Sequence, residues 1–217
     1  MPYVLVRARG FAAEPGASAA EVAARLGYPC FVKPVCAGSS VGASKVVSPA
    51  ALAKALKDAF AWDDKVLVEP FIEAREIECA VFGNTGGKKA PRAFAPGEVA
   101  PTHEFYDYDA KYLDPDGARL EIPAKIAAEQ AEEVRRTALA AYAALDLAGM
   151  ARVDFFLDKK SGKIYLNEVN TIPGFTSISM YPKMCELAGL AYRDLLSGLI
   201  ALALERSDSR RSLSFNA

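Results

Sequence analysis

Histidine and tryptophan are nearly absent: His103 and Trp62 are the sole examples in 217 residues. One histidine leaves a zinc site short of ligands and gives a Ser-His-Asp relay nothing to spare, so both chemistries are disfavoured. The four cysteines, Cys30, Cys36, Cys79 and Cys185, contain no C-x-x-C pair. They read as reduced, mostly buried thiols of a cytoplasmic protein, with a Cys–His nucleophile pair as the open alternative. Neither charge dominates: 26 Lys and Arg stand against 27 Asp and Glu, a net of −1. No basic excess remains to neutralise a phosphate backbone, so nucleic acid is not an expected partner. Long apolar runs are missing too. The longest, Leu195 to Leu204, is interrupted by Ser197 and Gly198 and falls far short of a bilayer span. The start, Met1-Pro2-Tyr3-Val4, has no charged segment followed by an apolar core. Neither a membrane partner nor export is expected.

What is present suits a folded chain: 52% apolar and 24% charged residues, enough for one large domain or two small ones. Pro2 to Arg7 reads as a short strand, followed by a loop holding Gly10, Pro15 and Gly16. Ser18-Ala19-Ala20-Glu21 has the capping-box pattern and predicts a helix to Leu26, ended by Gly27. Cys30 to Lys33 and Lys45 to Val47 read as strands, and Ser48-Pro49 opens a helix to about Phe60. Val66 to Glu69 and Glu76 to Phe82 are strands flanking a short connection. Gly86 to Asp116 has the composition of an irregular stretch, and Ala124 to Leu145 that of a long helix. Ala151 to Leu157 and Lys163 to Val169 are the last strands, before a Gly/Pro/Ser/Thr loop and a helical tail ending near Glu205. Alternating elements early and clustered strands late predict α+β architecture in two lobes joined near residue 70.

The sharpest constellation lies in the last two strands. Arg152, Asp154 and Phe156 share one face by alternation, as do Leu166, Glu168 and Asn170. Asp158-Lys159-Lys160-Ser161-Gly162 suits a hairpin turn, and pairing symmetric about Ser161 puts Asp154 opposite Glu168 and Arg152 opposite Asn170. Opposed carboxylates repel, so something cationic belongs between them. An all-oxygen set of Asp, Glu and Asn suits Mg²⁺; the alternative is that one carboxylate turns outward to a lysine of the turn.

Four other segments have the parts of a site but also plain structural explanations. Lys33-Pro34-Val35-Cys36-Ala37-Gly38-Ser39-Ser40-Val41-Gly42 fits an anion cradle or simply a small-residue turn. Val66 to Ile72 suits a ring-binding strand end or a hinge. Phe105-Tyr106-Asp107-Tyr108-Asp109-Ala110-Lys111-Tyr112 fits a lid or a surface loop packed on the body. Asn170 to Ser179 follows the acidic strand and either offers amides and hydroxyls to a carboxylate or is simply a loop.

Taken together, FVKP-x₃-GSSVG (Phe31 to Gly42), LVEPFI (Leu67 to Ile72), EFYDYDAKY (Glu104 to Tyr112), RVDFFLD (Arg152 to Asp158) and LNEVNTIPGFTSISMYP (Leu166 to Pro182) resemble the ATP-grasp ligases, in particular the D-alanine–D-alanine ligase family. The motifs run in family order across nearly the whole chain. The resemblance implies an ATP-grasp fold whose two α+β lobes, with mixed and antiparallel sheets, sandwich the nucleotide. It places a small lobe at 1–68, a large lobe at 69–217 with a mobile loop at about 101–118, and a frayed tail at 207–217. It implies ATP and two Mg²⁺ ions, or Mn²⁺ in their place, with D-alanine as substrate, cytoplasmic location, and a homodimer where the full-length interface is kept.

By the same resemblance, Lys33 holds ATP phosphates, Glu69 with the backbone of Pro70, Phe71 and Ile72 receives adenine, and Glu76 the ribose. Ser39 belongs to the loop on the substrate side. Lys111 reaches the γ-phosphate, and Tyr112 matches the loop tyrosine associated with a D-alanine acceptor. Asp154, Glu168 and Asn170 match the metal ligands, with Glu168 bridging. Arg152 and the Gly174 backbone fit stabilisation of a tetrahedral intermediate. Ser179 and Met180 fit the second D-alanine's carboxylate, though leucine is frequent at the latter position. Family members carry a further N-terminal domain of about 100 residues, and a phosphate-binding lysine ahead of the matched segment. The chain is therefore expected to be truncated and poorly active alone, with that domain supplied in trans. Two other readings stay open: a non-catalytic nucleotide-binding partner subunit, and a ligase for another amino or hydroxy acid.

Overall fold

The computed structural model describes residues 1–38, 40–101, 118–176 and 178–213. They divide into two units, one comprising Met1–Glu73 with Pro101–Arg119, the other Ala74–Ala100 with Leu120–Ala217.

The first unit is built on a four-stranded antiparallel sheet in the order β1-β4-β2-β3, from β1 (Val4–Arg7), β2 (Cys30–Pro34), β3 (Ser44–Val46) and β4 (Lys65–Pro70). Alternation sorts each strand into two faces: Val4, Val6, Cys30, Val32, Val66 and Val68 are buried on one, while Phe31, Lys33, Leu67 and Glu69 fall on the other. The buried face packs against α1 (Ala8–Ala13), α2 (Pro15–Arg25) and α3 (Pro49–Ala59) through Phe11, Val22, Leu52 and Leu56. Two expectations change here. The segment read as a loop around Gly10 is helical, because Phe11 is drawn onto the core, its ring centroid 5.6 Å from that of Phe60. The following helix begins at Pro15, ahead of the predicted capping box; proline at the first helical position lacks only an N–H that has no partner there anyway.

The second unit carries a six-stranded sheet ordered β10-β9-β5-β7-β8, with β6 also paired to β5. Its strands are β5 (Ala74–Asn84), β6 (Arg92–Ala93), β7 (Gly97–Pro101), β8 (Ala118–Glu121), β9 (Ala148–Asp158) and β10 (Ile164–Asn170). Strands β5 and β9 pair antiparallel without a break from Ala74↔Asp158 to Asn84↔Ala148. Ile77, Cys79, Val81, Val153, Phe155 and Leu157 form one buried face against Val134, Ala138 and Tyr142 of α4 (Ala128–Ala144). The Tyr142 hydroxyl donates to the Gly83 carbonyl at 2.7 Å, satisfying the polar end of a fully buried ring. The stretch after Gly86, read as irregular, holds β6 and β7, which find partners on β5 that local composition cannot announce. Two helices close the chain, α5 (Met180–Leu187) and α6 (Tyr192–Arg211), the latter running beyond the predicted end near Glu205. Among the described residues no single helix is long and apolar enough to cross a membrane. The antiparallel sheets with flanking helices agree with the α+β class expected.

Candidate functional site

The turn between β9 and β10 sets the geometry of everything beyond it. The Asp158 carboxylate accepts from the Lys160 N–H at 2.8 Å and the Ser161 hydroxyl at 2.9 Å, while the Gln130 amide of α4 donates to the Gly162 carbonyl at 3.0 Å. The Lys160 N–H first, and then the Ser161 hydroxyl, hold the Asp158 carboxyl below the usual carboxylate range. Pairing then starts with Ile164↔Leu157, Tyr165↔Phe156 and Leu166↔Phe155. After an irregularity at Asn167 it resumes as Glu168↔Asp154, Val169↔Val153 and Asn170↔Arg152. The extra residue is a β-bulge. The opposition of Asp154 to Glu168 and of Arg152 to Asn170 is the one expected, but Leu166 is not on their face as expected. It stands opposite core-facing Phe155, since the bulge reverses the alternation between Leu166 and Glu168.

Four of the predicted residues meet on the outer face of this pair. The Arg152 guanidinium forks onto Asp154, Nε to Oδ1 at 2.7 Å and the terminal nitrogen to Oδ2 at 2.6 Å. The Asn170 carboxamide donates to Asp154 Oδ2 at 2.9 Å and to Glu168 Oε1 at 3.3 Å. Between the two carboxylates stands the neutral Asn170 amide, while the Arg152 guanidinium meets Asp154 from its other side. Burial alone would lower the ionisation of Arg152. The hydrogen bonds to Asp154 and the charges of Asp154, Glu78 and Glu168 outweigh it and hold the guanidinium well above its ordinary range.

Glu78 was not singled out in the sequence. It stands opposite Asp154 on β5, is 8% exposed, and brings Oε2 to 3.2 Å from Arg152 Nε. Its only signal was a carboxylate set among Ile77, Cys79, Ala80 and Val81, all buried. Glu76 lies two residues earlier on the same face of β5.

Among the described residues no three His, Cys, Asp or Glu side chains converge as they would on a bound ion. The donor chemistry nevertheless fits Mg²⁺: two opposed carboxylates and a carboxamide within reach of both, all hard oxygen donors. A half-turn of the Asn170 amide brings its oxygen to where its nitrogen now lies.

The loop after β10 is pinned by Phe175, whose ring packs against Tyr181 and Tyr192 at 6.0 and 5.5 Å and whose carbonyl accepts from the Tyr192 hydroxyl. Gly174 and Ser179 meet within it. A Cβ on Gly174 would stand 2.9 Å from the Ser179 hydroxyl oxygen, which already accepts from the Thr176 N–H. Met180 begins α5 with its side chain buried, leaving only its backbone N–H as a donor to a ligand.

In the first unit, Lys33 Nζ lies 2.8 Å from Glu69 Oε2 on the sheet face opposite the helices, both side chains largely buried. Pro70, paired with Cys30, offers a carbonyl and no donor, and the Phe71 N–H is taken by the Pro29 carbonyl at 3.1 Å. The Lys45 ammonium sits 3.7 Å from the Phe71 ring centroid. Ile72 follows just beyond the strand. The cradle loop is held from below: Asp63 accepts from the Cys36 N–H at 2.7 Å, and Gly42, at φ 71°, passes so close to Trp62 that a Cβ there would stand 2.5 Å from the ring. Ser39, Lys111 and Tyr112, and with them most of the predicted mobile loop, lie outside the described residues.

A family model described as the D-ala D-ala ligase C-terminus matches residues 1–201. The chain belongs to the D-alanine–D-alanine ligase family. It is 56% identical over 188 residues to a D-alanine–D-alanine ligase of Treponema denticola, covering 87% of this chain and 50% of that protein. It is 50% identical over 214 residues to D-alanine–D-alanine ligase A of Bradyrhizobium diazoefficiens, covering 98% of this chain and 56% of that protein. Among solved structures, the D-alanine–D-alanine ligase from Coxiella burnetii matches with a TM-score of 0.79 at 37% identity, over 97% of this chain and 53% of its own. The VanG D-Ala:D-Ser ligase from Enterococcus faecalis matches with a TM-score of 0.78 at 38% identity, over 93% and 56%. The chain thus spans about half the length of the curated ligases it matches.

Proposed function

We propose that the chain is the nucleotide- and metal-binding portion of an ATP-dependent, ADP-forming D-alanine–D-alanine ligase of the cytoplasm, supplying a precursor of peptidoglycan. The observation that carries this reading is the row formed by Asp154, Glu168 and Asn170 beside Arg152 on one sheet face, in a chain of this family.

In this reading the carboxylate of one D-alanine attacks the γ-phosphate of ATP to give an acyl phosphate and ADP, and the amine of a second displaces phosphate. Two divalent ions, Mg²⁺ or Mn²⁺, would neutralise charge on the triphosphate when held by Asp154, Glu168 and Asn170. The protein's own part is positioning and electrostatics. Lys33 and Lys111 meet phosphate charge, and Glu69 with the Pro70, Phe71 and Ile72 backbone reads adenine, while Glu76 takes the ribose. Arg152 and the Gly174 amide receive the tetrahedral oxyanion. Ser39 and Tyr112 face the substrate, with Ser179 and the Met180 N–H on the acceptor carboxylate. The remaining half of the family's length, the first-substrate domain, is taken to act with this chain, and the family homodimer to form through the complete protein. The division into lobes at 1–68 and 69–217 is retained as part of this proposal.

The likeness to a D-Ala:D-Ser ligase favours a second acceptor as the alternative. Calorimetry with ATP and Mg²⁺, followed by ADP release with D-alanine, D-serine or D-lactate, tests the proposal. Mg²⁺-dependent ATP binding is expected, with ADP release slow for the chain alone and raised by a separately expressed N-terminal domain. No ATP binding would remove the proposal, and a preference for D-serine would move it to the alternative.

A further inference from the structure

We infer that Glu78 is a positioning residue for Arg152, the carboxylate that keeps the guanidinium in place once Asp154 gives its oxygens to a metal ion. This rests on the proposed metal role of Asp154, Glu168 and Asn170. Glu78, Asp154 and Glu168 form one row across β5, β9 and β10, each directly opposite the next. Arg152 now uses both Asp154 oxygens, and Oδ2 also accepts from Asn170. An ion that takes either oxygen must break into that set.

The guanidinium cannot discharge, and its side chain is only 22% exposed, so it needs another anion close at hand. Glu78 is already 3.2 Å from the same Nε that Asp154 holds at 2.7 Å. A shift of a few tenths of an ångström turns that ion pair into a charge-assisted hydrogen bond. Without Glu78 the guanidinium and the ion would compete for the same two carboxylates. Glu78 therefore lets an oxyanion donor and a metal ligand stand side by side on one strand.

The test follows the Arg152 Nε–H by ¹⁵N NMR, assigned by its loss in Arg152→Lys, in the full chain without metal and with ADP plus Mg²⁺. In the parent protein its exchange with water stays slow in both states. In Glu78→Gln it is slow without metal and at least tenfold faster with ADP and Mg²⁺. Glu78→Gln exchange that is slow in both states, or equally fast in both, overturns the inference, the latter marking a merely structural role. Asp154→Asn provides a second arm without metal: the Nε–H stays slow in the single variant and becomes fast in Glu78→Gln/Asp154→Asn. Fast exchange in Asp154→Asn alone overturns the inference even if Glu78→Gln does not fold. Mg²⁺ enhancement of ADP affinity separates the two claims. If Asp154→Asn leaves it intact, the metal reading falls and the inference with it. If Asp154→Asn loses it while Glu78→Gln leaves Arg152 slow, only the role of Glu78 falls.

Discussion

Asp154 and Glu168 stand directly opposite each other on adjacent antiparallel strands, and the Asn170 carboxamide bridges them at 2.9 and 3.3 Å. Like charges so placed oppose pairing by roughly 0.2–1 kcal/mol, and Arg152 offsets this only from the Asp154 side. Glu168→Gln is expected to weaken Mg·ATP binding at least tenfold while raising the metal-free Tm by about 1–2 °C. Calorimetry and a thermal melt check the two halves. Unchanged nucleotide affinity would remove Glu168 from the metal site.

Lys33→Met strands the Glu69 carboxylate, whose side chain is only 10% exposed and whose Lys33 partner is 2.8 Å away. The expected loss is about 3 kcal/mol, the lower end for a buried pair that loses one partner, together with a large fall in ATP affinity. Lys33→Met/Glu69→Gln should recover most of the stability and none of the affinity. Urea unfolding followed through Trp62, the sole tryptophan, reads the first unit. Additive losses in the double variant would show that the pair is not coupled.

Asp63 carries a pH dependence with a definite sign. Burial would raise its carboxyl, but the Lys65 and Cys36 N–H groups outweigh that and lower it below the usual range. A depressed folded-state value means its hold on the cradle loop is complete above about pH 4 and is lost as pH falls through the lowered value. The Trp62 emission should change across that acid window in the parent protein and lose this transition in Asp63→Asn. An identical acid transition in the variant would show that another group governs the loop.

The four thiols should separate sharply. Cys36 is exposed, whereas Cys30, Cys79 and Cys185 are buried, and burial pushes Cys79 and Cys185 up to about 12. A disulfide reagent at neutral pH should label one cysteine quickly, and Cys36→Ser should abolish that phase. Fast labelling of a second thiol in the native protein would contradict the burial.

The hairpin that carries the site was legible because Arg152 to Phe155 alternates polar and apolar, as Glu168 to Asn170 does, and a Gly-bearing turn separates the strands. The opposition of Arg152 to Asn170 could thus be counted from Ser161. Asn167 could not be read as a bulge, since an inserted residue leaves no mark in composition or period. Glu78 was missed for a different reason. Its neighbour Asp154 is far along the chain, and only the strand order β10-β9-β5 brings them together. The early helices were misjudged where tertiary burial of Phe11 overrode a Gly10 that locally argues for a loop. Local signals carried the elements; the row of carboxylates required the sheet.

The bulge at Asn167 makes β10 one residue longer than its ladder requires. Removing Asn167 alone would leave a regular pairing, with Leu166 still opposite Phe155 and Glu168 still opposite Asp154. Removing Val169 instead would bring Asn170 opposite Val153, onto the face that packs against α4. A relative that shortens this strand at the bulge therefore keeps its ligand set, while one that shortens it two residues later loses its carboxamide even if every acidic letter survives.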